Sequence, residues 1–395
     1  MGKKLSVLAA GEMILSMAEN DERFQDPCFY FEPVKDLFGK SDLVFAHLEA
    51  PHTDRPNYQG TYVAKAPPMR NIVAIKYANI DAVTLAGNPT FSYGPPGVED
   101  TIKWLDENGI DHVGAGMNID EARTPLIMER EGVKFGFLSY DCTAFRAAAT
   151  PIKAGAAYVD IVTYYRAPSF PGEKAAATMT FIERWSLEAM REDIRALRPK
   201  CDVLIVAIHQ GLGHKTEMAD YELELPRHAI EEGADLIVAN HSHVVKALEF
   251  YKGVPIYHSI GNLACVYPWE THSRYFQDPE TTLGKSKLRP RHNGAAAFAR
   301  MDKTAPSYPY PNRESMIGKL VVDTDTKKIE EVRILPIHVN NHGQSVVRGN
   351  DEDGRMVFDT MVRVTAESKL NTRFKWDGDE IVAYQDEEQF YKKIV

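Results

Sequence analysis

The chain reads CDVLIVAIHQGLGH at residues 201–214, GADLIVANHSH at residues 233–243 and VPIYHSIGN at residues 254–262. Two runs within these stretches, 203–208 and 236–239, are short, apolar and rich in valine and isoleucine. Such runs are typical of fully buried strands in a parallel sheet. We therefore predict two buried strands here, with a helical segment between them.

A histidine follows each of these predicted strands. His209 ends the first run, while His241 and His243 follow the second run two residues apart. Open α/β sheets place their ligand sites at strand C-termini, and neutral imidazole is a preferred ligand for zinc and related transition metals. We therefore interpret the three histidines as metal ligands. For any one of them, the alternative is an ordinary surface or core residue.

The composition is that of a globular protein without a nucleic-acid or membrane partner. The 395 residues are 44% hydrophobic and 26% charged, with a formal net charge of −10 and no basic stripe. Nucleic acids and anionic membranes are therefore excluded as expected partners. The apolar run at 5–10 is too short for a signal peptide and is interpreted as the first strand. The four cysteines are dispersed and form no CxxC, so we expect reduced thiols and a cytoplasmic protein.

The first half of the chain alternates strand-like and helix-like segments. After the run at 5–10, further strands are predicted at 42–48 and 81–86, and a helix at 97–108. The segment 131–140 is interpreted as a hairpin that leads into another buried strand. This alternation predicts an α/β layered fold.

Polar side chains follow the early strands at the same relative place as His209 and His241. They are Glu12, His47, Glu49 and Asn88. Carboxylate, amide and imidazole ligands together suit Mn, Fe or Zn better than Ca or Mg. We therefore predict a divalent transition-metal site with one or two ions. A helix-capping neighbour or a solvated loop charge is the alternative for any single carboxylate.

The motifs and their order resemble the CapA family of poly-γ-glutamate capsule biosynthesis proteins, which have a calcineurin-like metallophosphoesterase architecture. The resemblance rests on GEMIL (11–15), DLVFAHLEAP (42–51), DAVTLAGNPTFSYG (81–94), HVGAGMN (112–118), HQG (209–211), GADLIVANHSHV (233–244) and YHSIGNL (257–263). It implies a four-layered α/β/β/α sandwich over residues 1–340, with a metal centre at the strand ends. Residues 341–395 are then a C-terminal extension that packs on this domain.

Several positions depart from the pattern of the family. Glu12 stands for the usual aspartate and His47 for an asparagine, so both can still coordinate a metal. Pro89 stands where the family has a histidine that acts as acid or charge stabiliser. His214 and His258 are then our candidates for the catalytic acid–base residue. The alternative is that both only orient a metal ligand.

Two insertions flank the predicted site. The first, at about 144–180, carries Tyr164, Tyr165 and Arg166, which we predict to bind substrate; the alternative is an arm for a homodimer contact. The second, at about 267–315, carries Arg274 and Arg291, which would recognise a carboxylate or phosphate.

These observations predict a cytoplasmic, metal-dependent hydrolase that cleaves an amide or ester-type bond in a small or peptide-like substrate. The missing histidine at Pro89 weakens the case for a phosphoesterase, which stays an alternative. A non-catalytic accessory protein of poly-γ-glutamate synthesis is the other alternative.

Overall fold

A computed structural model describes residues 2–15, 26–56, 66–143, 145–166, 177–266, 313–340 and 342–385. The strands, in chain order, are β1 (Lys4–Leu15), β2 (Leu43–Leu48), β3 (Ala82–Thr84), β4 (Asp111–Val113), β5 (Ala115–Gly116), β6 (Leu126–Arg130), β7 (Val133–Asp141), β8 (Gly155–Ala156), β9 (Ile161–Arg166), β10 (Ala177–Ile182), β11 (Val203–His209), β12 (Leu236–Asn240), β13 (Leu248–Tyr251), β14 (Val254–Tyr257), β15 (Asn262–Val266), β16 (Glu314–Asp323), β17 (Lys328–Val339), β18 (Ser345–Val347), β19 (Thr372–Asp377) and β20 (Glu380–Gln385).

The helices cover less of the described chain than the strands. In order they are α1 (Glu32–Gly39), α2 (Val73–Tyr77), α3 (Gly94–Glu107), α4 (Ile119–Ala122), α5 (Arg184–Leu197), α6 (Asp220–Glu231) and α7 (Glu352–Glu367). Short 3-10 turns occupy Pro27–Phe31, Met69–Ile72, Phe145–Ala147 and Arg198–Lys200.

The larger sheet is built around β1. Its order is β19-β20-β17-β16-β1-β2-β3-β4, and β1 to β4 run parallel. The first half of β1 pairs antiparallel with β16, and its last residues pair in parallel with β15 instead. As a result the C-terminal ends of β1, β2 and β3 meet at the same edge of the sheet.

The second sheet has the order β13-β14-β12-β11-β7-β6. Its four central strands, β7, β11, β12 and β14, are parallel, and the antiparallel strands β6 and β13 lie at its edges. Every residue of β11 and β12 is buried, which agrees with their continuous apolar sequence. The predicted strands at 203–208 and 236–239 are confirmed. The hairpin predicted at 131–140 begins earlier, because its two strands are β6 and β7 and residues 131–132 form its turn.

The two sheets pack face to face, with helices on both outer faces. Apolar side chains of both sheets form one core between them, in which Phe45 of β2 meets Phe137 of β7 edge-on, with 5.3 Å between ring centroids. Helices α1 to α3 cover the outer face of the larger sheet, and α5 and α6 cover that of the second sheet. The predicted four-layered α/β/β/α sandwich is confirmed.

Two elements differ from the predictions in their limits, and a further helix is capped by a side chain. Helix α3 begins at Gly94 rather than at residue 97, because the prolines at 95 and 96 occupy its first turn, where a missing N–H costs nothing. Strand β1 continues to Leu15, so that Glu12 lies inside a strand and not after it. Helix α7 starts at Glu352, where the side chain of Asp351 accepts a hydrogen bond from the Gly354 N–H and caps the helix.

The C-terminal part of the described chain is closely joined to the sandwich. β20 pairs with β17 and extends the larger sheet, and β19 pairs with β20. Val357 and Met361 of α7 are buried in the core between the sheets. The domain boundary at residue 340 stays a prediction.

Candidate metal centre

The C-terminal ends of parallel strands from both sheets bring a group of histidines and carboxylates together. The larger sheet contributes Glu12 on β1, His47 on β2, Glu49 just after β2, and Asn88 in the turn after β3. The second sheet contributes His209 at the end of β11, together with His241 and His243 in the loop after β12. The six residues Glu12, Glu49, Asn88, His209, His241 and His243, with the adjacent His47, are here called the metal centre.

Glu12 connects the two sheets through its carboxylate. Its Oε1 accepts a hydrogen bond from the backbone N–H of His241, and its Oε2 lies 3.2 Å from Nδ1 of His243. An extra residue in β1 between Ala9 and Glu12, relative to β2, sets its direction. Gly11 permits this because a Cβ there would stand 2.2 Å from the carbonyl oxygen of Gly261.

Glu49 occupies the middle of the centre. Its backbone N–H donates to the Met13 carbonyl, which fixes the chain as it leaves β2. Its Oε2 is buried, has no hydrogen-bond partner among the residues that the structure describes, and lies 3.6 Å from Nε2 of His243. The ligand atoms of Glu49, His209 and His241 all lie within 4.8 Å of one another. Glu49 can therefore bind an ion together with His243, or together with His209 and His241.

His209 joins the amide and imidazole groups of the centre. Its Nε2 lies 2.8 Å from Oδ1 of Asn88 and 3.0 Å from Nδ1 of His241. Its Nδ1 is buried and has no hydrogen-bond partner among the described residues. A buried imidazole nitrogen without a partner loses its hydration without compensation, unless a ligand binds there.

His47 packs against His209 with 4.8 Å between ring centroids. Its Nδ1 lies 2.9 Å from the Thr84 hydroxyl, while its Nε2 is buried with no hydrogen-bond partner within the described part of the chain. A Cβ at Gly87 would stand 3.1 Å from that Nε2, so a larger residue there would crowd both rings. His47 is thus available to an ion from its Nε2 side.

Burial keeps most of these imidazoles neutral. It lowers the pKa of His47 and of His241 to about 4, and it lowers the pKa of His209 well below its usual range. Neighbouring histidines lower the pKa of His209 further. Neutral imidazole is the form that binds a metal, so these residues are prepared for coordination at neutral pH.

His243 and the two glutamates form a charged group in the same place. Burial lowers the pKa of His243, but the carboxylates of Glu12 and Glu49 outweigh burial and raise it well above its usual range. Burial raises the pKa of Glu49, but His243 outweighs it and brings this pKa to about 2. Burial keeps the pKa of Glu12 well above its usual range. These pKa shifts favour a positive charge on His243, which lies beside the two glutamates.

The backbone of this region is strained in a way that fits a binding site. His214, His241 and His243 have φ angles of 58°, 91° and 54°, in the left-handed region that side chains other than glycine rarely adopt. Such residues concentrate at ligand sites because the surrounding structure holds them there. Two orphaned buried nitrogens, two buried carboxylates and an amide oxygen form a donor set that fits a divalent transition metal.

His214 lies next to the centre but outside the group of possible ligands. Its exposed ring stacks on the buried ring of His243, with 5.2 Å between centroids and 17° between planes. Its backbone N–H donates to the Ser242 carbonyl, which ties the loop after β11 to the loop after β12. This position is open to a substrate that approaches from outside.

His258 is not brought to the centre. It is fully buried, and its Nε2 lies 3.0 Å from Oε2 of Glu249, whose other oxygen accepts from Arg227. The sequence placed it after a strand like the other histidines, but β14 leads it into an internal ion-pair network. The ring is fully buried and already has a carboxylate partner, which favours a structural role over the predicted catalytic one.

The predicted substrate-binding residues are only partly described. Tyr164 and Tyr165 lie on the two-stranded hairpin of β9 and β10, where Tyr164 stacks on Phe181 at 5.1 Å. Tyr165 is 75% exposed, and no described contact joins either tyrosine to the metal centre. Of Arg166 only the backbone, at the end of β9, is described, and Arg274 and Arg291 lie outside the described residues.

Two residues near the centre were not among the predicted ligands. Asn262, in the YHSIGNL motif, places its Oδ1 2.8 Å from Nδ1 of His243. Cys265 on β15 places its Sγ 4.0 Å from the same nitrogen. The motif pointed to Asn262, but nothing local distinguished Cys265 from the other dispersed cysteines.

Residues 6–267 match the family described as bacterial capsule synthesis protein PGA_cap. The chain belongs to this family. The PGA biosynthesis protein CapA of Bacillus subtilis (strain 168) is 24% identical over 242 residues, which cover 60% of this chain and 57% of that protein. The capsule biosynthesis protein CapA of Bacillus anthracis is 26% identical over 248 residues, 61% of this chain and 54% of that protein. The chain thus spans a little over half the length of these relatives, and the predicted family resemblance is confirmed.

Two solved structures are similar to this PGA_cap-family chain at low identity. A hypothetical protein from Thermus thermophilus aligns with a TM-score of 0.45 and 15% identity over 84% of this chain and 98% of its own. A putative 5'-nucleotidase from Staphylococcus aureus, in complex with alpha-ketoglutarate, aligns with a TM-score of 0.44 and 12% identity over 91% of this chain and 58% of its own. At TM-scores this low, neither carries an argument about this chain.

None of the described helices combines the length and apolar composition needed to cross a membrane.

Proposed function

We propose that this protein is a metal-dependent hydrolase that cleaves an amide or ester-type bond in a small or peptide-like substrate. One observation carries the proposal: donors from both sheets converge at the strand ends, and two buried imidazole nitrogens among them, on His47 and His209, have no hydrogen-bond partner in the described structure. Burial of such groups is unfavourable unless a ligand binds them.

The residues of the metal centre divide into two sides that share Glu49. Asn88, His209 and His241 lie on one side, and Glu12 and His243 lie on the other. A bound Mn, Zn or Fe ion would polarise a carbonyl oxygen and lower the pKa of water toward neutrality. The protein would hold one or two ions and keep its ligands fixed by burial.

His214 is the residue that we propose to protonate the leaving group. It is exposed, it stacks on His243, and the strained backbone of its loop holds it beside the centre. Pro89 follows Asn88 where the family resemblance implies a histidine, so the proton has to come from another residue. An amine or alkoxide leaving group needs such a proton, which favours amide or ester cleavage.

A second candidate function is supported by the names of the curated relatives. Both are described as proteins of PGA or capsule biosynthesis. An accessory role in polymer synthesis would need a surface that binds the polymer and no turnover of its bonds. The two functions are separated by whether the bound metal supports hydrolysis.

We also propose a cytoplasmic location, which the four free thiols of the chain support.

The test begins with elemental analysis of the purified protein, followed by chelation and reconstitution with Mn, Zn or Fe. The reconstituted protein is assayed against a panel of amide, ester and phosphoester substrates. We expect one metal to restore cleavage of an amide or ester. His241→Ala should abolish it, while His228→Ala should not, because His228 lies on α6 beside Arg191 and outside the centre. Metal binding without hydrolysis of any class would support the accessory role, and absence of metal binding would exclude the metal-dependent hydrolase.

A further inference from the structure

Cys265 lies beside the metal centre because of how β15 pairs with β1. The two strands are parallel, with Glu12 opposite Asn262 and Ile14 opposite Cys265. Glu12 and Cys265 therefore come from adjacent strands at the same edge of the sheet. The Cys265 Sγ lies 3.3 Å from the Glu12 carbonyl oxygen and 4.0 Å from Nδ1 of His243.

This thiol and two neighbouring residues form a group of three possible metal donors. Ligand atoms of Glu49, His243 and Cys265 all lie within 4.8 Å of one another, and all three residues are buried. The Glu49 Oε2 is buried and accepts no hydrogen bond from the described part of the chain, which points to a ligand independently of the cysteine. A carboxylate, an imidazole and a thiol at such separations can surround one ion.

We propose that Cys265 is a sulfur ligand of this centre, on the side formed by Glu12 and His243. The proposal rests on the proposed metal-dependent function and adds the chemical selectivity of the site. Sulfur donors favour zinc and related softer ions, whereas manganese prefers oxygen donors. Cys265 therefore biases the centre toward zinc and against manganese.

The competing interpretation is an inert cysteine in the core. Cys265 packs with Ile14 and Ala50 in a small apolar cluster, and a buried free cysteine commonly acts as a small hydrophobic residue. The two interpretations differ in one observable: only a coordinating sulfur gives a sulfur-to-metal charge-transfer absorption.

Cobalt(II) serves as the probe, because it takes zinc sites and absorbs in the near ultraviolet when a thiolate binds it. We expect stoichiometric Co²⁺ binding with this charge-transfer band in the full-length protein. Cys265→Ser should lose the band. Cys142→Ser should keep it, because Cys142 is also buried but lies just after β7, against the apolar core with α5 and α6. Should Cys265→Ser fail to fold, retention of the band in the Cys28→Ser, Cys142→Ser and Cys201→Ser variants assigns it by elimination.

A second measurement compares metals. Cys265→Ser should weaken zinc binding on the order of 10-fold or more, since loss of even an outer partner of a metal ligand typically costs about 10–100-fold in affinity. Its manganese affinity should change less. Stoichiometric Co²⁺ binding without the band overturns the role of Cys265 and leaves the hydrolase proposal intact. Absence of any Co²⁺ binding overturns both.

Discussion

The exposed ring of His214 lies almost parallel to the buried ring of His243, with 5.2 Å between their centroids. His243 is in turn within 3.6 Å of carboxylate oxygens of Glu12 and Glu49. His214 is therefore the outermost member of a stack that begins in the metal centre.

The first prediction concerns proton transfer by His214. His214→Ala should keep its metal, because the ring is outside the ligand group, and should lose about 10²–10⁴-fold in kcat, the usual contribution of general acid–base catalysis. One limb of the pH–rate profile near neutrality should become flat. Metal content and kcat are measured on the same preparation. If the variant keeps full activity, the proton comes from elsewhere, and His47 or Tyr165 is the next candidate.

The second prediction separates a ligand from a structural histidine. His241→Ala should lose metal and activity together, because His241 sits with Glu49 and His209 in one ligand group. His258→Ala should keep its metal and lose roughly 1–3 kcal/mol of stability, since Glu249 is left with an unsatisfied buried oxygen. Elemental analysis and urea unfolding of both variants provide the check. Loss of metal from His258→Ala would show that this network supports the centre.

The sequence was informative wherever a local pattern carries the structure. The buried strands around residues 203–208 and 236–239 were evident because a strand inside a sandwich is apolar on both faces. The C-terminal strands β19 and β20 were not predicted, because each is short and its buried and exposed residues alternate over only a few positions. The start of α3 was predicted too late, because prolines break the interior of a helix but are favourable in its first turn.

The composition of the metal centre was predictable only for residues in recognisable motifs. Glu12, Glu49, Asn88 and the three histidines after β11 and β12 follow apolar runs, and the sequence predicts them as ligands. Cys265 depends on pairing with β1, some 250 positions earlier in the chain, and no local pattern encodes that contact. His258 also follows a strand, but its ring lies in the internal network with Glu249, and no local pattern in the sequence indicates that contact.

The third prediction concerns a buried ion pair beneath the loop that carries His214. Nζ of Lys246 lies 2.6 Å from Glu222, both side chains are fully buried, and Lys246 also donates to the Glu217 carbonyl. Lys246→Met should destabilise the metal-free protein by about 3–5 kcal/mol, because it leaves an uncompensated buried carboxylate. The double variant Lys246→Met/Glu222→Leu should recover part of this loss. Urea unfolding of both variants measures it, and equal stability of the single and wild-type proteins would contradict it.

The last prediction concerns the pH dependence of stability and rests on His52. This side chain is fully buried, with its Nδ1 3.0 Å from the Ala50 carbonyl oxygen, and burial lowers its pKa to about 4. In the unfolded chain the pKa returns to about 6.5, so the unfolded state binds a proton between pH 7 and 4 that the folded state does not. Stability should therefore fall as the pH drops through this range, by about 3 kcal/mol from His52 alone.

The control variant is His52→Asn, which keeps a hydrogen-bond donor but does not titrate. Its loss of stability between pH 7 and 4 should be smaller by that amount. Chemical unfolding of the metal-free proteins at several pH values gives the two slopes, and parallel curves would mean that His52 is hydrated or already charged in the folded protein.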